Sequence, residues 1–320
     1  MKFLALLSAL TFSVATSLAH ADTWPSKPIR LVVAAPGGSS LDIIARTIGD
    51  KLKSRLGQAI VVDNIPGASG TIATANVARA APDGHTLLMS YNGPLSSAQF
   101  LARLPYDPQK DLAPVILTSS QPNVLAVNPD VPAKNVPELI AYAKANPGKL
   151  NYASVGNGSS SHLTMELFKT MAGIDVLHVP YNGAPPAAMA TVAGESHMLF
   201  GVPSVILPQV RNGKLKAIAV TSANRFPLLP QLPTMSEAGL PKFEALAWNG
   251  ILAPARTPAG IVSRLNREID SILKMPDVKA RLNNVGLEPA GGSPESFKLL
   301  MSSEAQKWSE VIKKTGAKLD

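Results

Sequence analysis

Two stretches of this chain share one local design, and together they constrain its architecture more than anything else in it. Residues 150–162 read LNYASVGNGSSSH: a short apolar strand around Leu150 and Tyr152 runs into Gly156 and Gly158. Ser159, Ser160 and Ser161 follow, after which Leu163, Leu167 and Met171 recur every four residues, as in a helix. Residues 29–35, IRLVVAA, form a continuous apolar run of the kind buried on both faces of a parallel sheet. They meet Pro36-Gly37-Gly38-Ser39-Ser40 and then a helical pattern over 41–56. Glycine lets the backbone turn sharply, and serine is a favoured helix N-cap. A helix opened in this way presents free N–H groups and the positive end of its dipole, and so can hold a carboxylate or phosphate without a cationic side chain. The spacing alone is equally that of an ordinary strand–turn–helix joint.

The rest of the chain repeats the alternation. Strand 59–63 leads to loop 64–70 and an alanine-rich helix over 71–81; Pro82-Asp83-Gly84 then turns into strand 85–90, which ends at Ser90 before Tyr91-Asn92-Gly93. Strand alternating with helix predicts a parallel α/β sheet. At 114–128 the pattern changes to one long extended stretch, PVILTSSQPNVLAVN, which predicts a crossing from one domain into another. A second series follows: helix 136–146, the strand and helix around 150–171, strand 175–180, Tyr181-Asn182-Gly183, a helix from about 185, strand 197–200, helix 203–211 and strand 215–221. The Pro- and Gly-rich segment 222–240 returns the chain to the first domain, where 246–252 reads as a strand. Ile261, Leu265, Ile269, Ile272 and Leu273 give the helix over 258–274 one apolar face, and Phe297, Leu300, Met301 and Trp308 mark the buried side of a closing helix over 294–314. The expected division is 22–122 with 223–320 as one lobe and 123–222 as the other. Ligands of open α/β sheets sit beyond the carboxyl ends of the strands, so both glycine-serine joints should face one cleft.

The N-terminus has a short basic start at Lys2, an uncharged run over 3–18 and Ala19-His20-Ala21, which together describe a secretory signal cleaved after Ala21. Such a run is too short to span a bilayer comfortably, and no later stretch is long and apolar enough. About 300 residues remain, enough for two domains. With no cysteine, neither disulfides nor thiolate metal sites are possible. The net charge of +8 comes from Lys and Arg scattered over helices, without a dense basic block, which argues against nucleic acid.

Catalytic and nucleotide signatures fail in turn. Gly156-x-Gly158 is half a dinucleotide fingerprint, but its third position is Ser161, and Asp175 begins its strand instead of ending one. There is no Walker loop, and Gly67-Ala68-Ser69-Gly70-Thr71 misses the nucleophile-elbow pattern at its last position. His85 and His178 read as structural strand residues, and no two histidines have metalloprotease spacing. Asp42 and Asp83 suit a helix start and a turn. His162, at the mouth of its helix, could reach a ligand or cap the first turn. The reading is a binder with no cofactor and no metal. Its candidate loops (36–42, 90–95, 154–162, 181–185 and 200–204) contain no lysine or arginine, so an anionic ligand would be held by amides, hydroxyls and helix ends. That favours a mono- or dicarboxylate over a phosphate ester or a tricarboxylate. An enzyme on the same scaffold using Ser159 and His162 would need a base in reach of the serine and a group orienting that base. A ligand-sensing subunit for a membrane signalling protein is the other alternative.

Eight motifs then occur in order across the chain: WPSKPIRLVV (24–33), PGASG (66–70), AAPDGHTLL (80–88), LPYDP (104–108), NPGKLNYAS (146–154), HVPY (178–181), AVTSA (219–223) and PTMSEAG (233–239). On these the chain resembles the solute receptors of the tripartite tricarboxylate transporter family, often called Bug receptors. The resemblance implies a type II-like periplasmic binding protein with two α/β lobes, each a mainly parallel sheet flanked by helices, hinged on two crossing strands. It also implies a monomer that captures a small organic acid, aromatic acids included, for membrane permease subunits. Carried over by position, it places carboxylate contacts at Gly38, Ser39 and Ser40 and over Ser154, Gly156, Asn157, Gly158, Ser159 and Ser160. Ser90, Asn92, His162, Tyr181, Gly183 and Gly201 complete the expected site. Three positions depart from the family pattern. Ala35 precedes Pro36-Gly37-Gly38 where many members have a second proline; Asn182 stands where many have lysine, and Gly201 where many have aspartate. The missing aspartate argues against an amino-acid ligand.

Overall fold

The computed structural model describes residues 24–316; the expected signal segment lies outside them. Two mixed sheets form the frame. In the first, β1 (Ile29–Val33) lies between β2 (Ile60–Asn64) and β3 (Thr86–Tyr91), all parallel, so that Leu31 faces Val62 on one side and Leu87 on the other. Beyond β3 come antiparallel β10 (Leu246–Pro254), β4 (Leu112–Pro122) and the two-residue β11 (Glu288–Pro289). In the second sheet the parallel trio is β7 (Leu177–Pro180), β6 (Asn151–Ser154) and β8 (Met198–Gly201). β5 (Val124–Val127) and β9 (Lys216–Val220) then join in antiparallel sense. The parallel halves follow from the strand–helix alternation; the antiparallel strands enter where the chain crosses between sheets.

Period-two alternation packs both faces of the second sheet. Leu125, Val127, Tyr152, Met198 and Phe200 face one core, while Val124, Ala126, Ala153 and Leu199 face another. Around the first sheet lie α1 (Ser40–Leu56), α2 (Thr71–Ala78), α7 (Ala259–Leu273) and α8 (Pro276–Asn283), whose apolar residues fill the first core. Helices α3 (Val136–Ala145) and α4 (Ser160–Ala172) cover one face of the second sheet. The other face is covered by α5 (Ala184–Val192) and α6 (Pro203–Arg211). The face expected of α7 is the buried one: Leu265, Ile269, Ile272 and Leu273 are all in the core. No helix among the described residues is long and apolar enough to cross a membrane.

The outward crossing is a single residue, Asn123, between β4 and β5. The return comes at Leu246, where β10 starts, later than the 223 expected from composition. Between them Met235, Leu240 and Phe243 fill the second core, and the amides of Met235 and Ala245 donate to the carbonyls of Val220 and Thr221 (both 2.9 Å). Prolines there mark turns of a segment that stays with the second sheet. Thr221 ties the two crossings together: Asn123 N–H donates to its Oγ1 (2.8 Å) and its N–H to the Asn123 carbonyl (3.0 Å), while its Oγ1 donates to the carbonyl of Ala245, just before the return. The closing helix α9 (Pro294–Thr315) touches both units: Phe297 and Met301 lie in the first core, Trp308, Val311 and Ile312 in the second.

Candidate ligand-binding site

A cavity of about 550 Å³ opens between the sheets, beyond the carboxyl ends of β1, β2, β3, β6, β7 and β8. Five helices begin at its wall: α1 at Ser40 and Leu41, α2 behind Gly70, α4 at Ser159 to Ser161, α5 at Gly183 and Ala184, and α6 behind Val202. The first N–H groups of a helix have no intrahelical acceptor, so these starts offer donors and a share of positive dipole, fewest at α5 and α6, where Pro185, Pro186 and Pro203 have no N–H to give. No residue of the wall is charged.

The two glycine-serine joints are built alike but differ in charge. At α1, Ser39 caps the helix, with its Oγ accepting from Asp42 N–H (3.3 Å). The buried Asp42 carboxylate accepts from Gly38 N–H (2.9 Å) and Arg46 Nε (3.0 Å). Burial works to raise the Asp42 pKa, but the bonds from Arg46 and Gly38 outweigh it and hold the group below the usual carboxylate range. An internal carboxylate therefore already sits at this helix start. At α4, Ser159 Oγ accepts from His162 N–H (3.3 Å) and donates to the Gly156 carbonyl (2.6 Å), and the first turn has no acidic residue. Gly156 has φ +115 and Gly183 φ +112, conformations that side-chain-bearing residues seldom adopt.

Of the residues expected to bind, Ser40, Asn92, Gly156, Ser159, Ser160, Gly183 and Gly201 line the cavity. The others stand off its wall. Gly38 and Ser39 organise the start of α1 as described. Ser90 is fully buried in β3. Ser154 Oγ accepts from Gly156 N–H (3.1 Å) and lies 2.6 Å from His178 Nε2. Gly158 N–H donates to His162 Nδ1 (3.0 Å), and Tyr181 N–H to the Ser154 carbonyl (2.9 Å). Asn157 is likewise outside the wall. His162 supports the loop from behind instead of projecting into the cavity: its ring stacks on His178 at 4.2 Å, and His178 stacks on Tyr152 at 4.7 Å. Burial, assisted by the Lys169 charge, pushes the His162 pKa down to about 4. The serine–histidine pair Ser154–His178 is close, but Ser154 is wholly buried and away from the cavity. His162 Nδ1 accepts from Gly158 N–H, and Ser159 Oγ donates to the Gly156 carbonyl and not to the ring.

The floor is what sequence reading missed. Gln121, Asn123, Ala247 and Asn249 come from the crossing strands, and Pro66 to Gly70 add a wall beyond β2. A signal existed: Gln121 and Asn123 interrupt an otherwise apolar extended run, and buried amide side chains need partners.

Two mixed α/β units, joined by knotted crossings and sharing a chargeless cavity where helix starts converge, define a two-lobed solute-binding protein. A family description, tripartite tricarboxylate transporter family receptor, matches residues 44–317, and the chain belongs to that family. A protein from the tcbD–tcbE intergenic region of Pseudomonas sp. strain P51 is 40% identical over 310 residues, covering 96% of this chain and 92% of its own length. Among solved structures, Rpa4515 of R. palustris with adipate is similar at a TM-score of 0.85 and 36% identity, covering 93% of this chain and 100% of that one. MatC (Rpa3494) of Rhodopseudomonas palustris with bound malate is similar at a TM-score of 0.81 and 34% identity, covering 90% and 100%.

Proposed function

We propose that this chain is an exported periplasmic receptor that closes on a small organic carboxylate and passes it, unchanged, to a membrane permease. The observation that carries the reading is the uncharged cavity at which five helices begin. Such a site suits a carboxylate, whose charge is met by backbone amides and hydroxyls. It suits a highly charged ester or tricarboxylate poorly, because several buried negative charges would go uncompensated. The adipate and malate of two family relatives support the same ligand class. In the proposed cycle the lobes hinge at the knot of Asn123, Thr221 and Ala245, and a signal segment ending at Ala21 is removed on export.

Thermal-shift and isothermal titration of the purified mature chain against mono- and dicarboxylates test this. At least one acid should raise the melting temperature and bind stoichiometrically without being altered, and Ser159→Ala should weaken it. A panel with no binder at millimolar concentration, or chemical turnover of the captured acid, would sink the reading. Intact-mass measurement of the exported protein should give an N-terminus at Asp22.

A further inference from the structure

Behind the loop that opens α4, and off the cavity wall, three rings stand in one stack. Tyr152 on β6 lies against His178 on β7 (4.7 Å, 16°), and His178 against His162 in the first turn of α4 (4.2 Å, 6°). Parallel pairing of β6 with β7 sets Tyr152 directly beside His178. Both histidines hold the loop. His162 Nδ1 accepts from Gly158 N–H (3.0 Å). Ser154 Oγ lies 2.6 Å from His178 Nε2 and accepts from Gly156 N–H (3.1 Å). The amides of the two glycines that turn the loop are therefore tied to groups behind the wall, one to a ring and one to a serine that a ring secures.

That grip decides where the next amides point. Gly156 has φ +115 and Gly158 φ +71, and glycine loses more conformational freedom on ordering than any other residue. A turn built on two such residues keeps one path only if its neighbours fix it. Past the turn, Ser159 N–H donates to the Gly156 carbonyl (3.2 Å) and His162 N–H to Ser159 Oγ (3.3 Å). The amides of Ser160 and Ser161, residues on the cavity wall, have no acceptor among the described residues. They are the donors that α4 offers to a ligand, and their direction follows from the path taken at Gly156 and Gly158.

Resting on the carboxylate-receptor reading, we propose that His178 is a positioning residue for ligand capture: without touching the ligand, it holds Ser154, which holds Gly156, and so sets the loop that turns the Ser160 and Ser161 amides to the cavity. The bond between Ser154 and His178 forms in either ring tautomer, because a hydroxyl and a neutral imidazole can each donate or accept. Packed on both faces, the ring cannot swing its Nε2 away from Ser154 without giving up a stacking partner.

The test compares two variants of the mature protein. His178→Phe keeps a flat ring in the stack but cannot bond Ser154, whereas His178→Gln carries an amide that can donate or accept near the position of Nε2. The probe is whichever of malate, succinate, adipate and benzoate most raises the melting temperature of the wild type. At a temperature where all three chains are folded by circular dichroism, His178→Phe should bind that acid at least about tenfold more weakly. His178→Gln should recover most of the loss, to within about threefold of the wild type. In the ligand-free chains, amide hydrogen exchange should show Gly156 losing protection in His178→Phe and keeping it in His178→Gln. Wild-type affinity in His178→Phe, equal losses in the two variants, or unchanged exchange at Gly156 would overturn the inference and leave the receptor reading standing. Failure of all four acids to bind the wild type would overturn both. Should His178→Phe not fold, Ser154→Ala removes the same bond from its other side and should show the same loss of affinity; wild-type affinity there would overturn the inference.

Discussion

His162 shows how much one ring can be misjudged from its place in the chain. It opens α4 beside three serines, yet it faces inward, accepting from Gly158 and stacked on His178. Its pKa of about 4 lies below the 6.5 of an unstructured histidine, so the unfolded chain takes up the proton first as pH falls. Stability contributed by neutral His162 is complete above pH 6.5 and is lost as the pH falls from there toward 4. The slope is at most roughly 1.4 kcal/mol per pH unit. Urea unfolding between pH 7 and 4 should therefore show a steeper loss for the wild type than for His162→Gln, and parallel profiles would rule this role out. At this scale the caps were readable: Ser39 and Ser159 were placed correctly at helix starts, because capping depends on residues three apart. Whether a side chain turns toward a cavity or a core depends on neighbours in other elements, such as His178 in β7.

Among the elements, α4 and α9 show where periodic reading strays. Leu163, Leu167 and Met171 suggested a stripe in steps of four, but a helix repeats every 3.6 residues, so such a stripe drifts round the axis. Met171 ends up exposed, while Met165, Phe168 and Ala172 are buried. The apolar residues of α9 were read correctly but as one face on one core. Tertiary packing divides them, with Phe297 set edge-on to Trp248 (5.5 Å, 90°) in the first unit and Trp308 fully buried in the second. Gly250 belongs to the same packing, since a Cβ there would lie 2.2 Å from the Phe297 ring. Trp308 also donates from Nε1 to the buried Glu304 (2.8 Å), which pairs with Lys307. Trp308→Ala should cost about 3–5 kcal/mol in chemical unfolding, from the cavity and the lost partner together. A loss below about 1 kcal/mol would mean that α9 does not anchor the second unit.

For the whole molecule, the decisive relation is between the cavity and the knot of crossings beneath it. Asn123 lines the floor and is also the single residue between sheets, where the proposed cycle places its hinge. Saturation with a binding acid should lower the radius of gyration in small-angle scattering. At a hundredfold excess over Kd it should stabilise the fold by about 2.7 kcal/mol. An unchanged scattering curve under those conditions would exclude closure. The α/β class, the two strand–helix series and the glycine-serine joints were all legible beforehand, because each rests on local periodicity and turn chemistry. The return crossing was not, because prolines over 222–240 signal turns without saying which core the turns pack against.

The chain's own order of residues determined the strands, the helix starts and the absence of lysine and arginine from the loops that line the cavity, since these are read from the residues a few positions on either side. Only tertiary structure decided that Gln121, Asn123 and Asn249 form a floor, that Ser154 and His162 stand behind the wall, and that α9 joins two cores. Those facts depend on contacts between separate elements, from His162 on His178 to Asn249 on Ser119, 130 residues apart, and no local pattern encodes them.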